Sequence, residues 1–280
     1  MNVYLTGYEV ITPWGIGEEA FSFENMNRDD IKAIPPINSE ELGWKDLNEF
    51  SDSTKLCLLA IGEALRKANL NLPFVEKEAI NTGIVVGTNL TNLESLIKTA
   101  KVVPEYEKES LLAQTFLNMI GCYASIYFNI SGLNTTIFDR DMAGPKSLLN
   151  AMDLLSSKHL DRVIVCQCNF FPEDSHEYSV EYNHSFESVV AFILERKVNI
   201  QPNLPRIEVE YTGYEPTYNF DSQNSVNFLL AMLLNERKLL KYNINKTQIT
   251  CEMNMNRILK VRILKEKLKN NNSFLTDNIY

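Results

Sequence analysis

Apolar positions along this chain alternate between two arrangements. Short continuous runs, Thr82 to Thr88, Arg162 to Cys168 and Ser188 to Leu194, have the Val/Ile-rich character of strands buried on both faces. Longer stretches between them carry apolar residues at helical spacing. Leu56, Leu59, Ala60, Ala64 and Ala68 mark one helix up to Asn69, with Ser51 or Ser53 as its cap. Leu112, Phe116, Met119, Ile120, Tyr123, Ala124 and Tyr127 mark a second over 109–128. After a turn at Asn129 to Asn134, the strand Thr135 to Phe138 leads into a third helix over 142–157.

The ends of the chain follow the same logic. Val3 to Thr12 reads as a strand with a turn at Gly7, closed by Pro13 and a Gly15/Gly17 loop. Residues 24–50 are polar and broken by Pro35-Pro36, which predicts a long surface excursion. Further strands are expected at Ile207 to Gly213 and Gln248 to Glu252, with a helix at 223–240 between them. Residues 257–269 read as a basic amphipathic helix, and the tail from Asn270 is polar. Alternating strands and helices make this an α/β protein with a mixed sheet covered on both faces, and no sequence repeat stands out.

Composition narrows the picture. At 280 residues, 45% hydrophobic and 22% charged, the chain has enough apolar surface for a sizeable core. A net charge of −9 disfavours a general nucleic-acid binder. No apolar stretch approaches the roughly 20 residues needed to span a bilayer, and the N-terminus lacks a signal-peptide pattern, so a cytoplasmic protein without membrane insertion is expected. Five cysteines (57, 122, 166, 168 and 251) in apolar contexts read as reduced core thiols. Cys166 and Cys168 lack a second ligand pair, and His159, His176 and His184 have neither triad nor zinc spacing; no metal and no cofactor is expected. Asp141, just before the third helix, suits an N-cap, and Pro145 suits a first helical turn.

Four groups of residues carry a family resemblance. They are Val3-Tyr-Leu-Thr-Gly-Tyr-Glu-Val-Ile-Thr-Pro-Trp-Gly15, then Thr82-Gly-Ile-Val-Val-Gly-Thr88, then Asn118-Met-Ile-Gly121 with Ser131-Gly-Leu-Asn-Thr-Thr136. The fourth joins Asp161-Arg-Val-Ile-Val165, Ser188-Val-Val-Ala-Phe-Ile-Leu-Glu195 and Tyr211-Thr-Gly-Tyr-Glu215. In this order and spacing they resemble the N-terminal part of the β-ketoacyl-[acyl-carrier-protein] synthases of the thiolase-like superfamily. The resemblance implies a layered αβαβα fold, its N-terminal half largely complete and its C-terminal half truncated. It divides the chain into a ketosynthase-like region (1–215), a reduced remnant of the second half (216–269) and a polar tail (270–280).

Departures from the family define the expected function. Its nucleophilic Cys aligns with Asp141, and no His stands near Glu252, where its first catalytic His belongs. A carboxylate does not accept an acyl group from a thioester as a thiolate does, and the donors for an enolate oxygen are missing with the two His. The resemblance therefore implies a non-catalytic, chain-length-factor-like subunit. Its partners would be an active ketosynthase, in a heterodimer, and an acyl carrier protein, within type II fatty-acid or polyketide synthesis, polyenes included. Phe116, Met119, Ile120 and Tyr123 are then candidates for the acyl-channel wall, against a plain core role. Thr135, Thr136, Ile137 and Phe138 are candidates for the dimer-interface strand. Arg257, Lys260, Arg262 and Lys265 are candidates for a carrier-protein patch, against a solvated face. The alternatives are a residual malonyl-carrier-protein decarboxylase or acyltransferase, and a carrier-binding pseudoenzyme. Losing part of the second half is also expected to leave apolar surface uncovered there.

Overall fold

A computed structural model of the chain describes residues 2–22, 33–88, 115–139, 142–170, 186–196, 204–212, 228–230, 232–234, 237, 246–253 and 257–265. The strands are β1 (Val3–Thr12), β2 (Gly15–Ile16), β3 (Thr82–Thr88), β4 (Asn134–Phe138), β5 (Arg162–Asn169), β6 (Ser188–Glu195), β7 (Pro205–Thr212), β8 (Lys246–Met253) and β9 (Arg257–Lys265). The helices are α1 (Asp52–Lys67), α2 (Glu76–Asn81), α3 (Met119–Phe128) and α4 (Ala143–Ser156). Residues 228–230, 232–234 and 237 are also helical.

These strands form one mixed sheet in the order β4-β3-β5-β6-β1-β7-β9-β8, with β2 paired to β1. β4, β3 and β5 run parallel, and β6 is antiparallel to both β5 and β1. Beyond β1 the pattern recurs. β7 pairs antiparallel with β9, and β9 antiparallel with β8, so β7-β9-β8 repeats the order and directions of β1-β6-β5. The two units therefore share a topology that their sequences do not display. They are joined in the sheet by two residue pairs, Val3 with Ile207 and Tyr4 with Arg206. Among the described residues the first unit has five principal strands and the second has three.

Period-two alternation sorts the strands between two cores. On one face Val85, Val163, Val165, Val190, Phe192 and Leu194 pack with α4, the helical residues near 228–233, and Leu259, Val261 and Ile263 of β9. On the other, Ile84, Val86, Ile164, Cys166, Val189 and Ile193 pack under α1 and α3. Both faces of the first unit are thus covered, as the unbroken apolar runs require. Helix α1 begins at Ser51, whose hydroxyl accepts the Thr54 N–H at 3.4 Å, and ends on Arg66 and Lys67, favourably placed for the helix dipole. Lys67 also pairs at 2.9 Å with Glu9, a carboxylate buried in β1 that accepts the Val10 N–H.

Four expectations need correction. Gly7 is not a turn: β1 runs through it with a register shift between Leu5 and Gly7. Its role is close approach, because a Cβ there would lie 2.3 Å from the Ala64 carbonyl oxygen of α1. Nor is the 24–50 excursion all surface. Its residues 23–32 lie outside the described set, but Ile34, Trp44 and Leu47 are buried, and the Trp44 indole occupies the space a side chain on Gly62 would need. Trp44 Nε1 donates to Glu63 at 2.6 Å and Arg66 stacks over the ring, so one aromatic anchors the segment.

Helix α3 starts at Met119. Residues 115–118 form a turn, so Phe116 precedes the helix, and 109–114 lie outside the described residues. Asn118 holds the cap position without a side-chain cap bond, and its amide instead meets Cys122 Sγ at 3.5 Å. The fourth correction is the largest. Residues 257–265 are strand β9, not a basic helix. Leu259, Val261 and Ile263 alternate inward, β-branched residues favour the pleat, and pairing along β7 and β8 fixes the choice. Residues 266–280 lie outside the described set.

Among the described side chains of the second unit no large apolar one is exposed, and the outer face of its strands carries Arg206, Glu208, Lys260, Arg262 and Gln248. Arg206 bonds Glu208 at 2.6 Å, and Arg262 Nε donates to Gln248 at 3.0 Å.

Candidate functional site

The junction between β4 and α4 is where the sequence places the missing nucleophile. Asp141 itself lies outside the described residues, and the helix-cap position falls on Met142, which makes no side-chain cap bond. Pro145 does lie in the first turn, where its absent N–H costs nothing. Asp139, at the end of β4, pairs with Lys146 of α4, tying strand to helix across the junction.

The first turn of α4 packs on two neighbouring strands, β3 and β5, whose Gly87 and Gln167 are register partners. A Cβ on Gly87 of β3 would lie 2.5 Å from Ser147 Oγ and 2.9 Å from the Ala143 oxygen. A Cβ on Gly144 would lie 2.1 Å from Oε1, 2.5 Å from Cδ and 2.7 Å from Nε2 of Gln167 of β5. The Gln167 carboxamide therefore fills the space that a side chain on Gly144 would need. Gln167 is only 3% exposed, and its Oε1 accepts the Leu229 N–H at 3.1 Å. Ser147 Oγ donates to the Ala143 carbonyl at 2.7 Å. Sequence reasoning passed over Gln167; the available signal was one amide inside the apolar run of β5.

The other candidate residues are dispersed. Glu252 lies in β8 with Ile258 as its register partner. Ile120 is 2% exposed and belongs to the core under α1, and Tyr123 packs its ring against Phe50 at 4.7 Å. Met119 is half-buried, whereas Phe116 is 57% exposed. Lys260 and Arg262 share the polar face of β9, and Arg257 and Lys265 are the end positions of that strand. His159 is exposed beyond the end of α4; His176 and His184 lie outside the described residues.

The thiols separate sharply. Cys57, on α1, meets Cys166 and Cys168 of β5, and all three are fully buried. Burial first, then hydrogen bonding with the two neighbours, holds the Cys57 thiol well above the ordinary thiol range. Cys122, on α3, is half-buried and receives the Asn118 amide at 3.5 Å. No group of three or more His, Cys, Asp or Glu among the described residues is arranged to hold a metal ion.

Strand β4 forms one end of the sheet and pairs with β3 alone among the described residues. Exposed apolar side chains concentrate around it. Phe116 and Leu117 lie before α3, Ile126 (78% exposed) on it, and Leu133 and Phe138 (50% exposed) at the two ends of β4. Thr136 Oγ1 is buried with no hydrogen-bond partner among the described residues. No helix of the described residues is long and apolar enough to cross a membrane.

No protein-family description and no curated protein matches the chain. Solved structures do match, over nearly its whole length. A chain of the ishigamide ketosynthase/chain length factor has a TM-score of 0.69 at 14% identity, over 95% of this chain and 99% of that one. A β-ketoacyl synthase from Burkholderia phymatum STM815 has a TM-score of 0.69 at 8% identity, over 95% and 100%. A chain of the ketosynthase ApeO in complex with its chain length factor ApeC, from Xenorhabdus doucetiae, has a TM-score of 0.61 at 12% identity, over 93% and 99%. This chain has the thiolase-like fold of the ketosynthases, as its residues led one to expect.

Proposed function

We propose that this chain is a non-catalytic, chain-length-factor-like subunit that pairs with an active β-ketoacyl-acyl-carrier-protein synthase and bounds its acyl channel. One observation carries the reading: the edge of β4, which pairs with β3 alone among the described residues, with Phe116, Leu117, Ile126, Leu133 and Phe138 exposed around it. An unpaired strand edge beside apolar surface is a site for another chain, because both the backbone groups and the apolar area gain by being covered. The likeness to chains solved as ketosynthase/chain length factor and as ketosynthase with its chain length factor supports a ketosynthase as that partner. Asp141 at the nucleophile position supports a subunit without acyl transfer of its own. The carrier protein would serve the pair, in type II fatty-acid or polyketide synthesis.

Co-expression with a ketosynthase followed by size-exclusion chromatography tests the pairing. The expected result is co-elution at heterodimer size; a monomer with no affinity for a ketosynthase overturns it. In the assembled pair, Phe116→Ala is expected to lengthen the products, and unchanged lengths remove Phe116 from the channel wall. Turnover of malonyl-carrier protein by the chain alone would replace the reading with a residual decarboxylase.

A further inference from the structure

Helix α2 is patterned inside out. Its one buried residue is the small Ala79, while the branched apolar side chains at its two ends, Val75 at the cap and Ile80 in the last turn, are each 63% exposed. A helix that serves only its own core does the opposite. Backbone bonds tie α2 along the loop that joins α3 to β4. At one end Phe74 N donates to the Phe128 carbonyl at 3.0 Å, and Asn129 Nδ2 donates to the Phe74 carbonyl at 2.6 Å. At the other Ser131 N donates to the Ala79 carbonyl at 2.9 Å, and a Cβ on Gly132 would lie 2.9 Å from the Ile80 carbonyl oxygen. Val75 and Ile80 thus bracket a loop whose own two ends carry exposed Ile126 and Leu133. Seven of the eight large apolar side chains exposed among the described residues belong to the β4 end or to α2, so the apolar surface runs on past the start of β4.

We infer that the outer face of α2, with Val75 and Ile80, is a second contact for the ketosynthase partner, continuous with the edge of β4. The inference rests on the pairing proposed above and extends it. Five apolar side chains around β4 are few for a stable contact, which takes about 20–30 residues and about 800 Å² from each partner. The same partner reaches α2 by continuing along the α3–β4 loop. This contact lies at the opposite end of α3 from Phe116, the candidate for the channel wall. Holding the partner and bounding its product are therefore tasks of different residues: α2 sets affinity and leaves chain length alone.

Val75→Asp with Ile80→Lys charges this face while favouring the helix itself, because Asp suits a cap and Lys a last turn. Titrated against a ketosynthase by analytical ultracentrifugation, the full-length variant should bind roughly thirtyfold more weakly than wild type. At saturating partner the pair should make products of unchanged length. Hydroxyl-radical footprinting of the wild-type pair reads the same contact without a substitution. Oxidation of Val75 and Ile80 should fall about threefold on pairing, as side chains excluded from water do. Leu42, whose carbonyl accepts from Arg66 of α1, should be unchanged. A folded variant that binds as tightly as wild type, or unchanged oxidation of both side chains in a verified pair, overturns the inference and leaves the β4 pairing standing. Altered product length from the saturated variant pair overturns the separation of affinity from channel. A wild type that forms no pair removes the proposed function and this contact with it.

Discussion

The two ends of the sheet solve the same problem in opposite ways. At one end β4 pairs with β3 alone among the described residues, beside exposed Ile126, Leu133 and Phe138. At the other the described part of the second unit has three strands, whose outer face carries Arg206, Glu208, Lys260, Arg262 and Gln248. The large apolar side chains exposed among the described residues all lie in the first unit. A polar face needs only water, whereas an apolar edge is stable in a complex that covers it. The contrast fits the partner proposed for the β4 end, with a polar face at the β9 end.

The strongest way to break that contrast is to charge each end in turn. Ile126→Glu with Phe138→Glu is expected to weaken pairing with a ketosynthase by roughly a thousandfold, since two apolar contacts would each become buried charges. Lys260→Glu with Arg262→Glu should leave the same affinity within about threefold, as substitutions on a solvated face usually do. Titration by analytical ultracentrifugation compares the two. Equal losses from both ends would show that the β4 edge is not the interface.

A second prediction probes why the first unit carries two cores and the second shares one. Gly7→Val puts a branched side chain where α1 already lies, 2.3 Å from the Ala64 oxygen. The cost expected is about 3 kcal/mol, from displacing a helix that cannot give way locally. Val261→Ala, in the shared core, should cost about 1–2 kcal/mol, with no backbone to move. Urea unfolding followed by circular dichroism measures both. A Gly7→Val variant as stable as wild type would mean that α1 does not seat on β1 as described.

These positions also show what the sequence could and could not say. Thr82–Thr88 was legible because seven consecutive residues, all buried, leave no helical reading of comparable simplicity. The segment 257–265 was not, because its basic residues recur at spacings that suit either period. What decides it is pairing with β7, remote in sequence. Gly7 was read as a turn because a glycine announces local freedom and conceals a distant helix. The candidate site divides likewise: Asp141 is a one-residue observation, whereas the contact of Gln167 with Gly144 and Leu229 joins three separate segments.

The smallest expected effect is also the finest probe of the open end. Cys57, Cys166 and Cys168 are sealed between α1 and the sheet, out of reach of a reagent, and burial also raises the pKa of Cys57, which leaves it less thiolate at any pH below that value. All three should stay unmodified by iodoacetamide at pH 8 while the chain is folded. Cys122 lies half-buried on α3, the helix whose Ile126 faces outward, and should react first. If a ketosynthase covers the β4 end, Cys122 alkylation in the pair should slow by about two- to fivefold, while the sealed thiols show no change. Peptide mass mapping at several times reads all four together. Slowing at Cys122 without change elsewhere localises the partner to α3 and β4, because no other described thiol lies at that end; an undiminished rate in a verified complex moves the interface away from it.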